Sequence, residues 1–198
     1  MADETSIIAS AQGLFHRFGI RSVTMDDVAH HLGISKKTLY CAAQNKDALV
    51  EKTVGRFISQ KKGAIEQICE RQAAPLPELF SMMGYIACTL GEVSEAMVHD
   101  LQKYHHDSWQ QLLDFYYQYL FEKIKTNLVK GAASGDYRAD MKTEFAAMLL
   151  LQVLRLFLRK ELPQFNSSGD FVKNCLDFFL VGMATKQGRE VCRAYLEQ

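Results

Sequence analysis

The chain has 198 residues, 48% of them hydrophobic and 23% charged, with 23 basic residues balanced by 23 acidic ones. That length suits one sizeable core, or a small domain fused to a medium one. Zero net charge argues against a chain-wide basic footprint for nucleic acid, so any basic face must be local. Five scattered cysteines (Cys41, Cys69, Cys88, Cys175 and Cys192), never in a CxxC pair, fit reduced thiols rather than a disulfide framework. The opening MADETS has no basic-then-apolar leader. The greasiest run, Phe145 to Leu158, is interrupted by Gln152 and Arg155 and is too short for a bilayer. A cytoplasmic protein with no membrane partner is expected.

In chain order, Ile7, Ile8, Ala11, Leu14, Phe15 and Phe18 recur at helical spacing, and Gly19 supplies a stop. Thr24, with Asp27 three residues on, predicts a capped short helix through Val28, Ala29 and Leu32 that Gly33 ends. Ser35 caps a second short helix through Leu39 and Tyr40. Asn45 or Asp47 opens a long helix to about Arg71. Pro75 and Pro77 read as punctuation. Further helices are predicted near Leu79–Leu90, Glu95–Tyr104, Ser108–Ala133, Thr143–Leu162, Gly169–Thr185 and Glu190–Leu196, with loops at Gly131–Asp140 and Pro163–Gly169. No strand-like alternation competes, so the fold class is all-α.

Met25 to Tyr40, MDDVAHHLGISKKTLY, carries the chemistry. Two short helices in a tight turn need a small residue at their crossing, which Ala29 provides. They need a tolerant turn residue, which is Gly33, and an apolar seam, which Val28, Leu32, Ile34 and Leu39 form. Ser35, Lys36, Lys37 and Thr38 give the second helix a cap and a polar face of the kind that enters a major groove. The same spacing also suits an ordinary helical hairpin with solvated charges. Residues 1–55 hold six bases and six acids, and between Arg21 and Lys46 the bases outnumber the acids by two.

The longer pattern AQGLFHRFGIRSVTMDDVAHHLGISKKTLY, followed by NKDAL at 45–49, resembles the tetracycline-repressor-like (TetR) family of bacterial transcriptional regulators. Phe18-Gly19, Thr24, Ala29, Gly33, Thr38, Tyr40 and Lys46-Asp47 stand where that family has its helix end, cap, turn, recognition helix and fourth-helix start. The resemblance implies a three-helix DNA-binding domain at 1–50. A long helix joins it to a larger helical ligand-binding and dimerisation domain at 51–198. It implies DNA contacts from Thr24, Lys36, Lys37, Thr38, Tyr40 and Lys46, a double-stranded operator, a small-molecule effector and a homodimer. Ala42-Ala43 departs from the family, which places a large polar or aromatic residue and then an aromatic there. Losing that aromatic removes about 2–4 kcal/mol of burial unless neighbours refill the space.

In the body, Met83, Trp109, Leu112, Tyr116, Tyr119 and Met148 are the candidate ligand-binding residues for an apolar or aromatic effector. Any one of them also suits plain core. The polar tips of the three aromatics need partners when buried. Dimer contacts are expected from the apolar helices near Thr143–Leu162 and Gly169–Thr185. His99 and His106, seven apart, lack the spacing of a zinc site, so neither metal nor cofactor is expected. No hydrolase, phosphate-loop or metalloprotease motif occurs, and the protein is not expected to be an enzyme. The expected function is a ligand-responsive repressor. The alternative is a helical ligand-binding or scaffolding protein of the same fold that has lost operator binding.

Overall fold

A computed structural model of the protein describes residues 3–72, 74–90, 94–158, 174–175, 177–179 and 182–196. Among them helices dominate and no strand forms; one isolated bridge pairs Tyr137 with Ala184. The chain divides into two compact units, residues 1–63 with 92–115, and residues 64–91 with 116–198.

In the first unit α1 (Glu4–Phe18) starts on Asp3, whose carboxylate accepts the Ser6 N–H at 2.7 Å. Its face of Ile7, Ala11 and Phe15 is buried. α1 ends at Gly19, with φ +81°. α2 (Met25–Leu32) begins with the full reciprocal box: Asp27 N–H donates to Thr24 Oγ1 at 3.1 Å, and Thr24 N–H donates to Asp27 Oδ2 at 2.8 Å. Gly33 ends α2 in the left-handed region, φ +63° and ψ +31°, where a Cβ is costly. Ser35 caps α3 (Lys36–Ala42), and Asn45, by accepting the Ala48 N–H at 2.8 Å, opens α4 (Lys46–Arg71). Val28, Ala29, Leu39, Leu49 and Val50 close the core between these helices. Ala42 and Ala43 lie inside that core, so the departure from the family is buried and not a surface change.

The first compact unit extends beyond residue 50. The cut falls within α4 at Gly63, and α6 (Glu95–Tyr104) and α7 (His106–Asp114) pack with the first unit. Met97 and Leu101 sit in the same core as Phe15, and each fully buried apolar side chain of this size is worth about 1.5–3 kcal/mol.

In the second unit α5 (Pro75–Leu90) corrects the reading of the prolines as punctuation. They occupy the first turn, where the missing N–H has no intrahelical partner to lose. The single helix expected over Ser108–Ala133 is instead α7, a π-helical segment (Phe115–Leu120) and α8 (Phe121–Ser134). α8 runs into the stretch expected as loop and stops at Gly135, φ +84°. There Arg138 N–H donates to Met183 O at 2.8 Å and Thr185 N–H to Asp136 O at 3.0 Å. Buried Asn127 donates to Pro75 O at 2.7 Å and accepts from Tyr137 Oη at 3.1 Å, which fixes α5 to α8. α9 (Thr143–Leu158) and α10 (Lys186–Leu196) complete the described elements. Residues 174–175, 177–179 and 182–183 are helical, within the helix expected over Gly169–Thr185. The rest of that helix and the expected Pro163–Gly169 loop lie largely or wholly outside the described residues.

Candidate nucleic-acid interface

The capped pair α2–α3 presents one continuous polar face. Thr24, Lys36, Lys37, Thr38 and Tyr40 are all exposed, while Leu39 between them is fully buried and anchors α3. Tyr40 keeps 46% of its surface, too much for a core residue. Thr38 is held at the start of α3: its N–H donates to Ser35 Oγ at 3.1 Å and the two hydroxyls lie 2.9 Å apart. Lys36 is drawn to Asp26 on α2 at 2.7 Å, an exposed ion pair that strong phosphate competition can open. Thr24 donates its hydroxyl to Asp27 at 2.7 Å, and this bond, ahead of the Thr24 N–H, holds the Asp27 carboxyl below the usual carboxylate range.

Lys46 departs from the open position of the others. It is half-buried, and its ammonium donates to Arg21 O at 3.4 Å. Burial lowers its pKa, and the charges of Asp100, Asp47 and Asp27 oppose that shift.

Part of the surroundings of Lys46 comes from α6, which sequence spacing did not connect to this domain. Asp100, nearly buried, accepts the Arg21 N–H at 2.7 Å. The Arg21 guanidinium lies over the Tyr104 ring at 5.5 Å and donates to its hydroxyl at 3.1 Å. Lys103 covers the same ring at 5.4 Å. His105 Nδ1 lies 3.1 Å from Asp47 Oδ1 at the start of α4. The pairs that Arg21 and Asp47 make with Asp100, Tyr104 and His105 are separated by 58 to 83 residues, and no local motif announces them.

The candidate ligand residues divide between the two units. Trp109 and Leu112 pack on the core of the first unit. Met83 is buried in the second unit, and Met148 is half-exposed on α9. Tyr119 donates to Glu66 at 2.9 Å, and Glu66 also accepts from Lys123 at 2.5 Å. The Tyr116 hydroxyl is buried. His99 lies 3.7 Å from Asp100, and no group of three metal-ligating side chains gathers among the described residues. Nor is any described helix long and apolar enough to cross a membrane.

Residues 7–53 match the family of bacterial regulatory proteins described as the tetR family. An HTH-type transcriptional regulator of Bacillus subtilis (strain 168), YvaF, is 37% identical over 93 residues, which are 46% of this chain and 48% of that protein. The match thus spans about half the length of that relative. Among solved structures, the ketosteroid transcriptional regulator KstR2 of Mycobacterium tuberculosis superposes with TM-score 0.66 at 18% identity, over 93% of this chain and 96% of that one. A TetR/AcrR-family regulator of Thermobifida fusca gives TM-score 0.69 at 18% identity, over 89% and 96%. The TetR-family protein CprB of S. coelicolor A3(2) gives 0.69 at 18%, over 98% and 97%. The fold along the chain is shared with these regulators, and its residues 7–53 match the tetR family of bacterial regulatory proteins.

Proposed function

We propose that the protein is a homodimeric, ligand-responsive transcription regulator, a repressor that leaves its operator when a small apolar or aromatic molecule binds the second unit. The observation that carries this reading is the polar face of α3. Lys36, Lys37, Thr38 and Tyr40 stand clear of a helix pinned from behind by Leu39. Such a helix reaches base edges while its neighbours hold phosphates. Pairing of two chains is supported by α9. Phe145, Met148, Leu149 and Leu156 are exposed on it, and Phe178 keeps 75% of its surface. A groove of about 490 Å³ lined by Phe145, Leu149, Phe178, Phe179 and Met183 opens there. A second copy covers such a surface at the least cost in new contacts, because a two-fold axis sets the same patch against itself. The side chains of Phe157, Phe171, Leu176 and Val181, on the two helices expected to form the contact, lie outside the described ones.

The test is a gel shift with the DNA upstream of the protein's own gene. The dimer binds a pseudo-palindromic site at low salt, and binding fades quickly as salt rises because the local basic surplus is small. Lys46→Ala weakens binding to all duplexes alike, whereas Lys37→Ala shifts sequence preference. A purified dimer that binds no such DNA at low salt belongs instead to the helical ligand-binding or scaffolding class.

A further inference from the structure

Three tyrosines, Tyr116, Tyr117 and Tyr119, lie within the π-helical segment Phe115–Leu120. Two have protein partners for their hydroxyls. Arg155 Nη1 donates to Tyr117 Oη at 3.0 Å, and Tyr119 Oη donates to Glu66 at 2.9 Å. The third does not. The Tyr116 hydroxyl is buried, and no described residue offers it a hydrogen bond. A buried polar atom left in this state costs about 1–3 kcal/mol, which a fold does not retain without a return. The π-turn is itself a rare winding, and such turns are frequent at functional sites. Burial pushes the Tyr116 phenol well above its ordinary range, so its proton stays on and the group presents a donor. The positive charge of Arg155 acts at the same place and favours electron-rich oxygen there.

We propose that Tyr116 is the polar anchor of the ligand site in the second unit, and that the ligand is an apolar molecule presenting a carbonyl or carboxylate oxygen to its hydroxyl. This rests on the ligand-responsive reading above and names the chemistry of its effector.

The test uses three probes of nearly equal size: acetophenone, benzoate and ethylbenzene. Each is titrated into the full chain and into its Tyr116→Phe and Tyr117→Phe variants. One hydrogen bond predicts that acetophenone or benzoate binds the unaltered protein about three- to tenfold more tightly than ethylbenzene. Which of the two leads tells carbonyl from carboxylate. The gap falls below about twofold in Tyr116→Phe and persists in Tyr117→Phe. Without any probe, Tyr116→Phe melts no lower than the unaltered protein, because it removes a hydroxyl that no described residue engages. Equal binding of all three probes, binding of none, or a gap that survives Tyr116→Phe overturns the proposal. So does a lower melting midpoint for probe-free Tyr116→Phe, which would reveal a structural partner. A gel shift on the unaltered protein separates the two readings. DNA binding without a probe gap overturns the anchor alone, and a probe gap without DNA binding overturns the regulator reading alone.

Discussion

Asp100 is a point at which α6 holds the segment that leads into α2, and replacing it tests that connection. Its Oδ2 accepts the Arg21 N–H at 2.7 Å, just before the Thr24 cap of α2, and the side chain is nearly buried. Gly19 leaves room for this approach: a Cβ there would stand 3.0 Å from Ala96 Cβ and 3.3 Å from Asp100 Oδ2. Asp100→Ala removes a charged acceptor and leaves the Arg21 N–H without its partner. A hydrogen bond to a charged group contributes about 1.5–3 kcal/mol, and partial exposure at Arg21 puts this one near the lower end, about 1.5–2 kcal/mol. For a unit of this size that is roughly a 10 °C fall in melting midpoint. Asp100→Asn keeps an acceptor oxygen and loses only the charge, so about half of the effect is expected. Urea and thermal unfolding of the full chain, followed by Trp109 fluorescence, read the right unit because Trp109 packs on its core. If Asp100→Ala unfolds within about 0.5 kcal/mol of the parent, or if Asn and Ala cost the same, the bond is not what seats α6.

Gly188→Ala places a Cβ 2.1 Å from the Asp136 carbonyl oxygen, a backbone atom that cannot step aside, so a loss of about 3 kcal/mol or more is expected. Gly13→Ala on α1 meets nothing within 4 Å and should gain about 0.5–1 kcal/mol; calorimetry that ranks the two the other way refutes the steric argument. The Thr24 hydroxyl lowers the Asp27 pKa, so the box stabilises the fold above the unfolded carboxyl value of about 4 and stops doing so as pH falls through the lower folded value. The stability difference between the parent and Asp27→Ala should therefore be constant near neutrality and shrink below about pH 4, and a difference that grows in acid contradicts the assignment. Leu149→Asp puts a charge into the exposed groove of α9 and should yield a folded monomer in sedimentation at micromolar concentration; an intact dimer moves the interface elsewhere.

Much of the first unit was legible in the sequence because its determinants are local. A Ser or Thr cap, a left-handed glycine and a 3.6-residue apolar period each act within one or two turns. Thr24–Asp27, Gly33 and Ser35 accordingly sit where their spacing put them. Exposure of Lys36, Lys37, Thr38 and Tyr40 follows from the same period, since Leu39 alone of that run faces inward. What the sequence did not disclose depends on contacts between distant residues. Nothing near Asp100 marks it as the acceptor for an amide 79 positions away, and Lys46 turns inward because of groups that only folding assembles around it. The break of one long helix at Phe115–Leu120 has no proline or glycine to announce it. Trp109, a pocket candidate for its polar-tipped ring, packs half-buried against the core of the first unit, where α7 lies. Periodicity tells which face of a helix is apolar. Only tertiary packing decides what that face meets.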